Sequence, residues 1–333
     1  MSTETLVQPV FDPSNAAASL DFIEAQLPIG RGYRLGFVAG NSESRLRGEG
    51  SQVRNIRDYR MGDDTRHIDH RLSAKSPDGQ LKVREFNRDI NPDFWVVTDS
   101  FQSGYDAVTH PSEYYTKQRL ALAGAMGLLV MASQQGLPFT VVGANDNSIG
   151  LLGRPLKGRS HLGNLAEAAA ETMSVSHNLE QLLSATPDTP ITRPRFYELV
   201  RYASDICSNG IVALVSDFRD ASPDDADHGW KQALDDLRDK NNQIIAVDIT
   251  SPSNTSLPKT KRLATEQGVV VIGGGKLGQA QRLAYEKAVT AEDRLINKAL
   301  AGVNAQRIRL STTDATWLDS FIDQISDPQS ISI

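Results

Sequence analysis

Apolar positions along this 333-residue chain follow two regimes, and the change falls at Pro92. Beyond it, FWVVTD (94–99), GIVALVSD (210–217) and QIIAVDI (243–249) are unbroken apolar runs of strand length, the pattern of strands buried on both faces. Segments of helical period lie between them and predict helices over 113–135, 161–184, 194–208 and 227–240. Gly136 and Pro138 end the first in the order of helix stops, and Arg193-Pro194 opens the third. PFTVVGAND and SIGLLG flank Asn145-Asp146-Asn147 and predict a hairpin. RLATEQGVVVIGGG (262–275) predicts a smaller β excursion, followed by a helix over 276–302, a strand over 306–310 and a final helix from Thr316. Strands alternating with helices imply a three-layer α/β domain over about 91–327, built on a mostly parallel sheet covered on both faces.

Before Pro92 the pattern is weaker. Residues 1–30 read as a tail, expected to fray over 1–15, and a short helix over 16–27 closed by Pro28 and Gly30. Residues 31–90 form a segment of a different kind: from Arg45 to Asp89, nine arginines stand among acids, glycines and turn residues with almost no apolar period. Only QLKVREF (80–86) reads as a strand, with Leu81, Val83 and Glu85 on one face, and the rest is expected to be irregular. Forked guanidinium groups at this density beside carboxylates point to a fixed polar network or a docking surface. One reading is an internal network of Arg57, Tyr59, Asp63, Asp64, Arg66 and Asp69 that pins the segment onto the sheet; the other is a docking face. Arg45 and Arg47 have fewer acids around them and are the candidates for contact with a partner.

Composition narrows the function classes. The net charge is −6, although 31–90 carries 13 Lys and Arg against 9 Asp and Glu, so the remainder carries −10. That balance, with no stacking aromatics interleaved among the arginines, weighs against nucleic-acid binding. The lone Cys207 excludes an intramolecular disulfide framework, and no Cys/His cluster has zinc spacing, which fits a reducing, cytoplasmic compartment. The chain opens without a basic-then-apolar leader, and its longest apolar run, 121–132, is shorter than the about 20 residues a membrane span needs. No direct membrane insertion is expected, and any membrane association would run through partners. Gly273-x-Gly275-x-x-Gly278 spells a dinucleotide fingerprint, but no second strand with an acid follows, so no nucleotide is expected.

Two of the buried strands end alike, at Asp99 and Asp217. Ligands of open α/β sheets collect at the carboxyl ends of the strands, so these carboxylates are expected to converge; the plainer alternative is that each caps the turn that follows. Asp99-Ser100-Phe101-Gln102-Ser103 resembles the D-x-S-x-S loop with which von Willebrand factor A domains hold a divalent ion, with Phe101 at the first serine position. The resemblance implies a Thr from a second loop, where GRSHL places Ser160, and an Asp from a third, matched by Asp217. Such hard oxygen ligands suit Mg²⁺ or Mn²⁺. Asp99, Ser103, Ser160 and Asp217 are thus the candidate ligands of a degenerate ion site with Mg²⁺ as candidate cofactor. Because Phe101 removes one oxygen, weak binding is expected, strengthened in a Phe101→Ser variant.

Gly48, Gly50, Arg57, Tyr59, Gly62, Asp63, Asp64, Arg66, Ile68, Asp69, Ser73, Ala74, Leu81, Val83 and Phe86 together resemble the motif of the bacterial domain-of-unknown-function family fifty-eight. GRSHL, LVSDFRD and RIRLSTTD extend the agreement over most of the chain from about residue 31, while His70 stands where the family usually has Trp. The resemblance implies a von Willebrand factor A-like fold with a small irregular N-terminal segment. It also implies an accessory role to MoxR-type AAA+ ATPases in protein assembly, maturation or stress-related remodelling. On that reading Arg45, Arg47, Asp99, Ser103 and Asp217 contact the ATPase or its protein client. The competing reading is a metal-dependent hydrolase in which Asp99 and Asp217 activate water. The sequence offers no convincing further acid, base or electrophile for the cleft, so a non-enzymatic interaction protein is the expectation.

Overall fold

The computed structural model describes residues 7–27, 53–60, 63, 65–76, 79–86, 92–102, 112–145, 148–184, 195–219, 222–226, 229–252, 262–265, 268–271 and 275–326. The elements in chain order are α1 (Ala16–Gln26), β1 (Val53–Asp58), α2 (His70–Ser73), β2 (Lys82–Phe86), β3 (Phe94–Thr98), α3 (Lys117–Gln134), β4 (Phe139–Ala144), β5 (Ile149–Leu151), α4 (Arg159–Ser184), α5 (Phe196–Ile206), β6 (Ile211–Ser216), α6 (Lys231–Asp239), β7 (Gln243–Thr250), β8 (Arg262–Thr265), β9 (Gly268–Val271), α7 (Gly275–Gly302), β10 (Gln306–Ser311) and α8 (Trp317–Ser326). They fall into two compact units, Phe37–Asn91 and the rest, Met1–Gly36 with Pro92–Ile333.

The larger unit is built on a six-stranded sheet of order β10-β7-β6-β3-β4-β5, parallel throughout except for β5 at the edge. β3, β4 and β6 are buried along their whole length, as their unbroken apolar sequences require. One face carries Trp95, Val97, Val212, Leu214 and Ala246 against the apolar sides of α5, α6 and α7. The other receives α3, which is buried along most of its length. Glycines let α3 approach closely: a Cβ at Gly124 would lie 2.9 Å from a Leu310 methyl, and one at Gly127 2.8 Å from the Phe321 ring. Strand order runs outward in both directions from the β3–β6 pair, which is therefore the switch point of a doubly wound sheet.

The residues at the start of the chain are part of this unit, and the described portion, 7–15, is not frayed. The Gln8 N–H donates to the Ala315 carbonyl (2.8 Å), the Trp317 indole N–H to Pro9 (2.9 Å) and the Tyr115 hydroxyl to Gln8 (2.7 Å), while Phe11 is fully buried.

The smaller unit is more regular than its sequence suggests, because β1 and β2 pair antiparallel. Arg57 grips Asp63 with two bonds of 2.7 Å, and the Arg60 N–H donates to the same carboxylate (2.8 Å). Asp69 caps α2 by accepting from the Leu72 N–H (3.0 Å) and also holds Arg84 of β2 (2.8 Å). The Leu72 N–H first and the Arg84 guanidinium next keep the Asp69 carboxyl below its ordinary range. The Tyr59 N–H donates to Leu81 (2.8 Å), and Arg66 lies exposed on the short 3₁₀ turn Thr65–His67. Of the residues expected to form a network, Arg57 pairs with Asp63, while Asp69 holds the Leu72 N–H and Arg84, from a strand the network did not include.

Candidate interaction site at the carboxyl end of the sheet

β3 and β6 run side by side and end at Asp99 and Asp217. The Ser216 hydroxyl donates to Asp99 Oδ2 (2.8 Å) and accepts from the Phe218 N–H (3.1 Å), so one side chain joins the two strand ends. Phe218 has φ 57°, a left-handed conformation that costs a bulky residue on the order of 1–3 kcal/mol. Packing holds the turn, since the Phe218 ring is fully buried with its centroid 5.0 Å from Phe196 and 5.9 Å from Trp230.

Beyond this turn Asp217 accepts from the Arg219 N–H (3.2 Å) and from Lys117 Nζ (2.8 Å). Lys117 is the first residue of α3, after the N-cap Thr116. A cation in the first helical turn opposes the helix dipole, so Lys117 owes its favourable setting to Asp217 and not to the helix. The pair is mostly enclosed, with side chains 18% and 11% exposed. Arg219 extends the cluster to α7, meeting Glu292 (3.1 Å) and Asp293 (3.4 Å). Burial raises the Tyr285 phenol on the same helix, against the opposing charges of Arg219 and Lys117.

From α7 the network turns inward. Asp293 also meets Arg307 (3.1 Å) and Arg309 (3.4 Å), and Arg307 is paired with Asp248 of β7, both nearly inaccessible. Burial pushes the Asp248 carboxyl up against the pull of Arg307 and Arg309. For Asp293, burial acts in the same sense, but Arg307, Arg309 and Arg219 together hold its carboxyl below the ordinary range.

The structure brings Asp99 and Asp217 together but places Ser160 elsewhere. Ser160 is exposed in the first turn of α4, next to His161, whose Nε2 bonds the carbonyl of Phe139 (2.9 Å), the first residue of β4. That is the amino end of the sheet, a strand of 6 residues away from the carboxyl end, or about 20 Å at strand rise. The cause is β5: it runs antiparallel to β4, and the chain has returned as far as the Leu156–Phe139 bridge before α4 begins. Phe101 also departs from expectation. It is fully buried against Gly143 of β4, where a Cβ would come within 2.4 Å of the ring, so it is a core side chain and not a ligand position awaiting an oxygen. Asp99 is 3% exposed and Asp217 8%, so both strand-end acids are largely covered. Arg45, Arg47, Asp64 and Ser103 lie outside the described residues.

The implied divalent ion does not fit the residues described. Asp217 is engaged by an ammonium, Asp99 accepts a hydroxyl, Phe101 is in the core and Ser160 is at the far end. Among the described residues, no three His, Cys, Asp or Glu side chains are grouped to hold a metal. Lys117 was not singled out by sequence reasoning. The signal that could have found it is a lysine and an arginine opening a helix, where acids are preferred.

The strand order, the antiparallel edge and the paired strand ends define a von Willebrand factor A-like α/β domain. Residues 55–294 match the family described as Protein of unknown function DUF58, and the chain belongs to that family. The chain is also similar to the solved structure of the conserved hypothetical protein BatB from Bacteroides thetaiotaomicron, with 12% identity, a TM-score of 0.31, and coverage of 64% of this chain and 98% of that one. No curated protein matches it. Among the described residues, no helix is long and apolar enough to cross a membrane.

Proposed function

We propose that this protein is a non-enzymatic interaction module that works with a MoxR-type AAA+ ATPase on a protein client, in assembly, maturation or stress-related remodelling. The observation that carries the reading is the state of the strand-end carboxylates. Asp99 is buried and accepts from Ser216, and Asp217 is held by Lys117 and the Arg219 N–H. Carboxylates so engaged are fixed parts of the fold. A hydrolase would need one of them within reach of a water and able to take its proton. Family membership supports the ATPase pairing, and the partner surface comprises the enclosed Lys117–Asp217 pair, Arg219 and the adjoining face of α7.

Co-expression with the MoxR-type ATPase encoded nearest to it tests this. Co-purification in a fixed ratio is expected, with no turnover of ester, phosphoester or peptide substrates by the chain alone. Divalent-dependent turnover abolished by Asp217→Asn would instead establish the hydrolase.

A further inference from the structure

We infer that Lys117 is the resident cation of the strand-end site, so that this von Willebrand factor A-like domain works without a divalent ion. This rests on reading the carboxyl end as the interaction site and specifies its chemistry. Sites of the kind the Asp99 loop resembles place a cation beside the strand-end acids. Here a positive charge already stands at the third-loop acid: Lys117 Nζ is 2.8 Å from Asp217 Oδ2 in a pair whose side chains are 18% and 11% exposed.

Three further features make the lysine part of the built site. It comes from α3, 100 residues away in sequence, and enters at a helix start that disfavours cations. Asp217 is aimed at it by the turn that strains Phe218, held in place by Phe196 and Trp230. Asp99, the other acid of the site, accepts from the Ser216 hydroxyl, a neutral donor. An ammonium supplies a fixed positive charge and hydrogen-bond donors beside Asp217, so that carboxylate is offset without dependence on metal supply.

The test uses the isolated full-length chain, stripped with chelator, so it does not depend on any ATPase. MgCl₂ and MnCl₂ are titrated calorimetrically and in thermal melts of the wild type, Lys117→Arg, Lys117→Met and Asp217→Asn. Expected results are no binding isotherm and no melting shift for the wild type, a lowered melting temperature for Lys117→Met, and recovery in Lys117→Arg. A stoichiometric isotherm or a stabilisation of several degrees in the wild type, lost in Asp217→Asn, would overturn the inference. So would an unchanged melting temperature in Lys117→Met. If Lys117→Met does not fold, the wild-type titration and the Lys117→Arg melt still decide. Failure here leaves the ATPase complex untouched, and failure of that complex leaves the cation result standing.

Discussion

Phe101, just after β3, and Ser216, the last residue of β6, act differently at the strand ends: one fills the core and the other holds a buried carboxylate. Phe101 fills the space above Gly143, so Phe101→Ser should lower stability by about 3–5 kcal/mol without creating affinity for Mg²⁺. Urea denaturation with parallel calorimetry checks both halves; a stable variant that binds Mg²⁺ would restore the ligand-loop reading. Ser216→Ala removes a hydrogen bond to a buried carboxylate and should cost about 1.5–3 kcal/mol, read as a lower urea midpoint at unchanged slope. At this level the sequence was only partly informative. Asp99 and Asp217 were legible because each ends an apolar run. Lys117 was not, since its partner lies 100 residues away and only its unfavourable place at a helix start hints at one. Ser160 was misplaced because GRSHL matches a loop by spelling while topology puts it at the other end of the sheet.

Most elements followed from periodicity, because an alternation of buried strands and amphipathic helices leaves few arrangements for a parallel sheet. The exceptions are instructive. β1, read from VRNIRD, has no apolar alternation and is held by its ladder to β2 and by ionic bonds, which sequence period does not register. The segment 7–15 has no period either, and its partners Ala315 and Trp317 lie some 300 residues on. The contacts of β10 are equally invisible: Arg307 and Arg309 look alike in QRIRLS and both reach Asp248, but Arg307 is buried on it, whereas Arg309 meets it at 3.5 Å and is 50% exposed. Arg307→Ala should therefore cost about 3–5 kcal/mol by leaving the Asp248 charge buried, while Arg309→Ala should cost under about 1 kcal/mol. Equal melting temperatures for the two variants would show that the inward network adds nothing to stability.

Over the whole chain, the shifted carboxyls make a pH dependence with a definite sign. Asp293 and Asp314 have folded carboxyls below their ordinary range, so they contribute stability above the unfolded value near 4 and lose it as pH falls through the folded values. Asp248 and Asp93, raised by burial, act in the opposite sense. Melting temperatures should fall below about pH 4, and Asp293→Asn should flatten that fall; a steeper loss in the variant would reverse the assignment. The same network ties the Asp217 turn to α7, β7 and β10, so the proposed interaction site is backed by the core and not carried on a loose loop. Sedimentation of the purified chain mixed with the MoxR-type ATPase, with Asp217→Lys as the altered surface, examines what this arrangement is for. A complex of fixed stoichiometry that is lost in a folded Asp217→Lys protein is predicted, whereas wild type and variant both sedimenting apart from the ATPase at all concentrations would contradict the account.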